Sequence, residues 1–448
     1  MRILFFTPTV LASAIGRVSS LVVQELLLSG HEVIVVRAEA PALFESPTHI
    51  FSCQMIPWDN AVQVRNLATR VELAVYQIGD NYQYHCGCLE WLPSIPGLVS
   101  MHDNFLGSLF WSWSERLGRQ NALEFLKILY GEDIAHRFFD HADSTSFIAY
   151  ASESSPMTEW IALKATAVIV HSDWAMSSRI IRVCPGPVEV VPLPYDAPFF
   201  GVGEFKNQPK NSERTVVLTI GHVNHNKRHA SVIEAIGSSV FLRSNLSFRI
   251  VGAIEPTMEK ELRLLADQLG VTIVITGRVD DQCLAEEIHS ADIVCCLRWP
   301  ALEAASGSTI EAMLYGKITV VTNTGFYRDL PDDCVVKISM EAELADLRAA
   351  LEKLVASPTE RKMIGEMARH YAVKTFRADN YAERIINMKY RIDRSNVVGA
   401  AAQVFSRTLK RWGAQGDLGI MKAITSPLEL FKVPYRGSVN PSPLGEGR

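Results

Sequence analysis

The 448-residue chain has no run of eighteen uncharged apolar residues, so no stretch of it reads as a membrane-spanning helix. Positive charge is not in excess: 44 Lys and Arg stand against 49 Asp and Glu, a net charge of -5. That balance argues against a general nucleic-acid binder, and no nucleic-acid partner is expected. Cysteine is sparse. The eight residues follow no framework spacing, and Cys295 and Cys296 lie inside an apolar run, as suits a reducing compartment. Cys86-Gly-Cys88 stands beside His85, but no second Cys/His pair follows at finger-like spacing, so no zinc site is expected. What remains is an ordinary soluble composition, 48% hydrophobic and 21% charged, with material for two or three domains.

The N-terminus could be mistaken for a secretion signal. Met1-Arg-Ile-Leu-Phe-Phe is apolar, and Leu11-Ala-Ser-Ala follows it. A strand-helix-strand continuation, with Ile3 to Thr7, a helix and then Glu32 to Arg37, argues instead for a buried first strand and a cytoplasmic protein. Alternation continues along the chain. Strands are expected at 2–7, 32–37, 73–78, 97–101, 145–150, 167–171 and 188–191, and helices at 15–29, 60–69, 83–92 and 156–164. A helical insert rich in Phe, Trp and Tyr fills 104–141. A polar stretch, 199–214, reads as a linker between a first domain, 1–198, and a second, 215–376. The second repeats the alternation, with strands at 215–220, 247–252, 271–275, 292–297, 318–322 and 334–338, and helices at 228–239, 257–269, 281–290, 308–315 and 343–356. Helices at 359–374 and 378–392 close it. The fold class is α/β, two Rossmann-like doubly wound parallel sheets, with ligand chemistry in the loops after the strands.

The motif that carries most information lies at 298–333. Glu303 and Glu311 are separated by seven residues, the first in a loop after an apolar strand and the second on the next helix. Gly307 falls where that helix should begin. Backbone N–H groups and the helix dipole would face an anion there, and carboxylates accept from sugar hydroxyls. Glutamates eight positions apart are, by themselves, most often a solvated helix face. A second segment, Gly221-His-Val-Asn-His-Asn-Lys227-Arg228, ends a strand at a glycine and opens a helix with two cations, although a surface loop would look the same.

Together these segments resemble the retaining family-4 glycosyltransferases. Their hallmark is a Glu-x7-Glu element, here Glu303-Ala-Ala-Ser-Gly-Ser-Thr-Ile-Glu311, followed by Ala-Met-Leu-Tyr-Gly-Lys and Val-Val-Thr-Asn-Thr-Gly. The resemblance covers about 1–392. It implies the GT-B architecture, with two Rossmann-like domains facing across a cleft and a crossover helix at 377–394. It also implies a nucleotide-diphosphate sugar as donor and a glycan or lipid-linked glycan as acceptor in polysaccharide biosynthesis, with no metal cofactor. No Asp-x-Asp stands where a metal-bound donor would require one.

By that resemblance Glu303 contacts the hydroxyls of the transferred sugar and Glu311 those of the ribose. Gly221, His222, Lys227 and Arg228 hold the diphosphate, and Ser306, Gly307, Ser308 and Thr309 complete its cradle. Arg278, after another strand, matches the nucleoside-adjacent loop, or else forms a structural salt bridge. His102 and Asp103 match the family's strand–His–Asp element beside the donor sugar, with His102 and Glu303 as the catalytic pair. His85 and Gly16 support the acceptor side, and Ser172 falls near the interdomain hinge. Two departures stand out. His222 replaces the family's arginine, and Ala14 stands where a glycine is common. They keep open a non-catalytic GT-B scaffold subunit; a nucleotide-sugar epimerase on the same fold is the other alternative, and the Glu303/Glu311 element argues for transfer against it.

The tail 395–448 departs from the pattern. It carries Arg407, Lys410, Arg411, Lys422, Lys432, Arg436 and Arg448 against Asp417, Glu429 and Glu446. Peripheral contact with an anionic membrane is one reading of it, and a packed or disordered tail is the other.

Overall fold

The structure is a computed structural model that describes residues 1–198 and 214–411. Its first sheet has seven strands: β1 (Arg2–Thr7), β2 (Glu32–Arg37), β3 (Gln54–Pro57), β4 (Leu73–Ile78), β5 (Leu98–Met101), β6 (Ala167–Val170) and β7 (Val188–Val190). Their order is β3-β2-β1-β4-β5-β6-β7. The second sheet has six: β8 (Thr215–Ile220), β9 (Leu246–Val251), β10 (Ile273–Gly277), β11 (Ile293–Cys296), β12 (Ile318–Thr322) and β13 (Val336–Ile338). Their order is β10-β9-β8-β11-β12-β13. Every pairing is parallel.

Sheets of this kind are covered on both faces, so their strands are apolar throughout rather than alternating. Ile3, Leu4, Phe5 and Phe6 are fully buried, as are Val75, Tyr76 and Ile78 of β4 and Ile293 and Val294 of β11. Each sheet carries its own core. In each, the strand order reverses beside the first strand, between β1 and β4 and between β8 and β11. Loops at such reversals leave a crevice beyond the strand ends. Both sheets belong to one compact unit, Met1–Met388, and Lys389–Arg448 forms a second.

The helices around the first sheet are α1 (Ala14–Leu28), α2 (Ala61–Ala68), α3 (Tyr82–Trp91), α4 (Gly107–Leu117), α5 (Arg119–Tyr130), α6 (Glu132–Arg137), α7 (Ser144–Ser154), α8 (Thr158–Ala162) and α9 (Ser178–Val183). Those around the second are α10 (His229–Gly237), α11 (Val240–Asn245), α12 (Pro256–Leu269), α13 (Asp281–Ser290), α14 (Gly307–Leu314), α15 (Gly325–Arg328), α16 (Glu343–Ala356), α17 (Pro358–Thr375) and α18 (Ala378–Arg411). α18 returns to the first sheet. The Tyr381 hydroxyl is 2.7 Å from Ser100 Oγ on β5, and Arg384 pairs with Glu189 of β7 at 3.1 Å.

Three points depart from the sequence reading. The strand expected at 145–150 lies inside α7. Asp143 accepts from the Ser146 amide while the Asp143 amide donates back to Ser146 Oγ, a capping box that starts a helix whatever follows. β3 was not anticipated, because it is an edge strand with only Ile56 buried. The insert 104–141 is three helices, seated around Phe110, whose ring meets Trp160 edge-on at 5.1 Å and Phe138 at 5.6 Å. The crossover helix expected to stop at 394 continues to Arg411. Of the linker 199–214 only Arg214 lies within the described residues, and of the tail only 395–411.

Candidate functional site

A cavity of about 570 Å³ opens between the strand ends of the two sheets. Residues after β1 (Ala12 to Ile15, and Arg17), after β4 (Gly79 to Asn81) and after β5 (His102, Asp103) line one wall. Residues after β8 (Gly221, His222, Lys227), after β11 (Arg298, Glu303) and at the start of α14 (Gly307, Ser308, Glu311) line the other.

The second wall is built around β8. Gly221 takes φ +90°, a conformation that favours glycine, and a Cβ there would lie 2.7 Å from Lys227 Nζ. Lys227 is buried, and its Nζ donates to the Ile220 carbonyl at 3.0 Å. Burial, with Arg298 close by, pushes its pKa down to about 7. Ser308 Oγ reaches the same carbonyl at 3.5 Å, so the β8 loop and the α14 N-terminus are tied at one point. Ser306 caps α14 by accepting from the Thr309 amide at 3.4 Å. A Cβ on Gly307 would meet the Tyr195 ring at 2.9 Å, so glycine is what lets Tyr195 close over the helix start.

The two walls are stitched by backbone. Asn104 N donates to Leu302 O at 2.7 Å and Ala304 N donates to His102 O at 2.8 Å, which pairs Asp103 with Glu303 in an isolated antiparallel bridge. Ser172 Oγ donates to Ala304 O at 2.7 Å, so Ser172 does stand at the junction of the domains. His102 and Glu303 are thereby brought to one place. Glu303 accepts from Arg298 Nε at 3.4 Å, and its side chain stays 38% exposed toward the cavity. Burial opposes the charge on Arg298, but Tyr327 and Glu303 hold the guanidinium above its ordinary range.

The first wall is different in kind. His102 Nε2 lies 2.6 Å from Gln77 Oε1, and burial, with His171 and His85 nearby, holds the ring well below the usual imidazole range. Burial lowers His85 to about 3, and its Nδ1 has no partner among the described residues. Asp103 Oδ2 accepts from the Asp80 amide at 2.7 Å. Burial raises Asp103 to about 7 despite that bond, and Glu303 adds to the shift. Asp80 is raised well above the carboxylate range by burial and by Asp103.

Arg17 was missed. It reaches across the cleft to Glu311 at 3.3 Å and to Asp196 at 2.9 Å, and its guanidinium lies 4.7 Å from the Tyr195 ring centroid. Burial raises Glu311 to about 7 against the pull of Arg17. The signal was present, because Arg17 is the one charged residue between Arg2 and Glu25. Arg298 was likewise visible only as part of the motif's flank.

Several expected residues lie elsewhere. Arg228 takes a left-handed φ of 57° that turns it to Glu343, 3.0 Å away on α16, and it does not line the cavity. Arg278 is exposed after β10 and does not line it either. Ser306 and Thr309 are buried capping residues behind the lining. Gly16 packs rather than binds, since a Cβ there would meet the Pro8 carbonyl at 2.8 Å, while Ala14 faces the cavity. His222 is exposed and does line the cavity.

The chain is similar in sequence and fold to known proteins. Residues 203–371 match the family model described as glycosyl transferases group 1. The chain is similar to an MMP alpha-(1->4)-mannosyltransferase of Mycolicibacterium hassiacum, 25% identical over 228 residues, which is 50% of this chain and 51% of that protein. The match thus spans about half the length of that relative. The fold is GT-B. It resembles sucrose-phosphate synthase of Thermosynechococcus elongatus at a TM-score of 0.62 and 13% identity, over 88% of this chain and 99% of that one. It also resembles Anabaena HepE, solved in complex with UDP and glucose, at 0.57 and 14%, over 86% and 98%.

Proposed function

We propose that this chain is a retaining glycosyltransferase that moves a hexosyl group from a nucleotide-diphosphate sugar to a glycan acceptor. The observation that carries the reading is the meeting of two motifs some eighty residues apart at the Ile220 carbonyl, with Lys227 and Ser308 both bound to it. A buried cation, a glycine-lined backbone turn and a helix N-terminus then face one point, as a diphosphate requires. The group 1 match over 203–371 and the mannosyltransferase relative support the same class.

In this reading the bond from the anomeric carbon to the diphosphate oxygen breaks, and its electron pair stays with the diphosphate. The acceptor hydroxyl oxygen bonds to that carbon from the same face, and its proton passes to the departing diphosphate. Lys227, Arg298 and the α14 N-terminus stabilise the leaving charge, a task that needs positioned charge rather than a nucleophile. His102 is neutral near pH 7, so its ring orients the donor by hydrogen bonding, and Glu303 does so through sugar hydroxyls. Glu311 meets the ribose after exchanging its Arg17 contact. The retained anomeric configuration and polysaccharide biosynthesis as the setting are parts of the proposal carried by the resemblance alone.

Thermal-shift titration of the full chain with GDP, UDP and ADP tests it. One nucleotide raises Tm, and the rise is lost in Lys227→Ala and Glu311→Ala. No shift with any of the three would sink the donor reading and leave the scaffold alternative, which His222 and Ala14 favour.

A further inference from the structure

A second cavity of about 400 Å³ adjoins the first and shares Asp80 and Asn81 with it. Its other walls come from the start of α3 and from α4, the first helix of the aromatic insert, and carry Tyr82, Ser108, Ser112, Glu115 and Arg116. We propose that this groove is a second acceptor subsite, which binds an uncharged sugar ring next to the one being extended. The inference rests on the glycosyltransferase reading and deepens it by naming the acceptor class as a neutral oligosaccharide.

Three observations support the assignment. The first is chemical. Every lining side chain can form hydrogen bonds, one is a flat aromatic ring, and none is aliphatic. A polyhydroxyl ring that stacks one face and bonds at its edge suits such walls, and an acyl or polyprenyl chain does not. The second is electrostatic. Burial keeps Asp80 protonated, so Glu115 and Arg116 balance one another, and Arg116 Nη1 is engaged with the Tyr82 hydroxyl at 2.7 Å. Asp103 stands behind the junction and His85 there is neutral. A phosphorylated or uronic-acid acceptor would find no net positive charge here to offset its own. The third is mechanical. Asp80 Oδ1 accepts from the Leu109 amide at 2.8 Å, which fixes α4 against the β4 loop, so the groove keeps its shape without a ligand. The insert therefore frames the acceptor path as well as burying aromatic rings.

The test uses the full chain with UDP-glucose and GDP-mannose as donors. The acceptors are methyl α-D-mannoside, methyl α-D-glucoside, mannotetraose and maltotetraose, with mannose 6-phosphate as the anionic probe. One tetrasaccharide is expected to show kcat/KM at least tenfold above its methyl monosaccharide. Ser112→Trp, which fills the groove, removes that factor, and Tyr82→Ala reduces it. Donor hydrolysis in the absence of acceptor stays at the parental rate in both variants. Equal kcat/KM for monosaccharide and tetrasaccharide overturns the subsite. So does an advantage that survives both substitutions, a preference for mannose 6-phosphate, or no transfer to any of these sugars while a donor is hydrolysed. Loss of donor binding and hydrolysis in the parent protein overturns the glycosyltransferase reading itself, and the subsite with it.

Discussion

The two walls of the cleft solve opposite electrostatic problems. On the second-sheet side Lys227 and Arg298 lie close together, buried, with a helix N-terminus beside them, and Lys227 has lost much of its hold on a proton. On the first-sheet side Asp80 and Asp103 are buried together and hold protons more tightly, while His85 and His102 are neutral. One wall is strained toward losing positive charge and the other toward avoiding any charge. A diphosphate relieves the first strain and a neutral polyol leaves the second undisturbed. The walls are therefore complementary to different halves of one reaction, and Arg17–Glu311 is the ion pair that crosses between them.

The comparison breaks most easily at Lys227. Lys227→Ala is expected to weaken nucleotide binding roughly a hundredfold, since a charge-assisted contact is worth about 1.5–3 kcal/mol. Stability should not fall with it. The folded pKa is below the ordinary lysine value, so the buried amine carries a stability cost that grows as pH falls from the ordinary lysine value and is fully present below about pH 7, and alanine removes that cost. Calorimetry with the preferred nucleotide decides the point. Unchanged affinity would mean that the cations do not face the ligand.

Arg17→Ala tests the crossing pair. It leaves Glu311 buried without its cation and is expected to cost about 2–3 kcal/mol, read as a lower urea midpoint. Glu311→Gln in the same chain should restore most of that loss. A single variant as stable as the parent would mean that Asp196 and Tyr195 alone hold Arg17, with Glu311 a bystander.

The pH dependence of binding sharpens the contrast further. Lys227 titrates near 7 in the empty cleft, and a bound diphosphate raises that value. Above pH 7 the affinity for nucleotide should therefore fall about tenfold per pH unit, until the bound-state value is reached. Lys227→Ala should be flat over the same range. Equal slopes would assign the proton to another group.

What could be read in the chain follows the same division. The second wall was legible because its parts are local: Gly221 and Lys227 lie within one turn, and Glu303, Gly307 and Glu311 within one loop and helix. Spacing along the chain there is spacing in space. Arg228 shows the limit of that rule, since one left-handed residue turned it to Glu343. The first wall was legible only in pieces. His102 and Asp103 end a clear strand, but their pairing with Glu303 depends on backbone bonds between segments two hundred residues apart. Arg17 carried no signal of a partner in the sequence, because Glu311 and Asp196 lie on distant segments. β3 escaped because an edge strand buries one residue and so leaves no pattern.

The smallest expected effect concerns the junction itself. Ser172 is buried at the end of β6, and its hydroxyl donates to the carbonyl of Ala304, the residue after Glu303. Ser172→Ala deletes the bond to Ala304 O and the 3.3 Å bond its hydroxyl accepts from the Ala175 amide, which keeps its bond to Ser172 O, a loss of about 1 kcal/mol. Ala304 N remains bound to His102 O at 2.8 Å, so the strand-like stitch survives. Stability should therefore fall slightly while nucleotide affinity, set by Lys227 and α14, stays the same. Donor hydrolysis should drop more than affinity, because the Ala304 carbonyl next to Glu303 is then untethered. If affinity fell along with hydrolysis, the Glu303 loop would carry nucleotide binding as well as the sugar contact, and the junction would matter to both halves of the reaction.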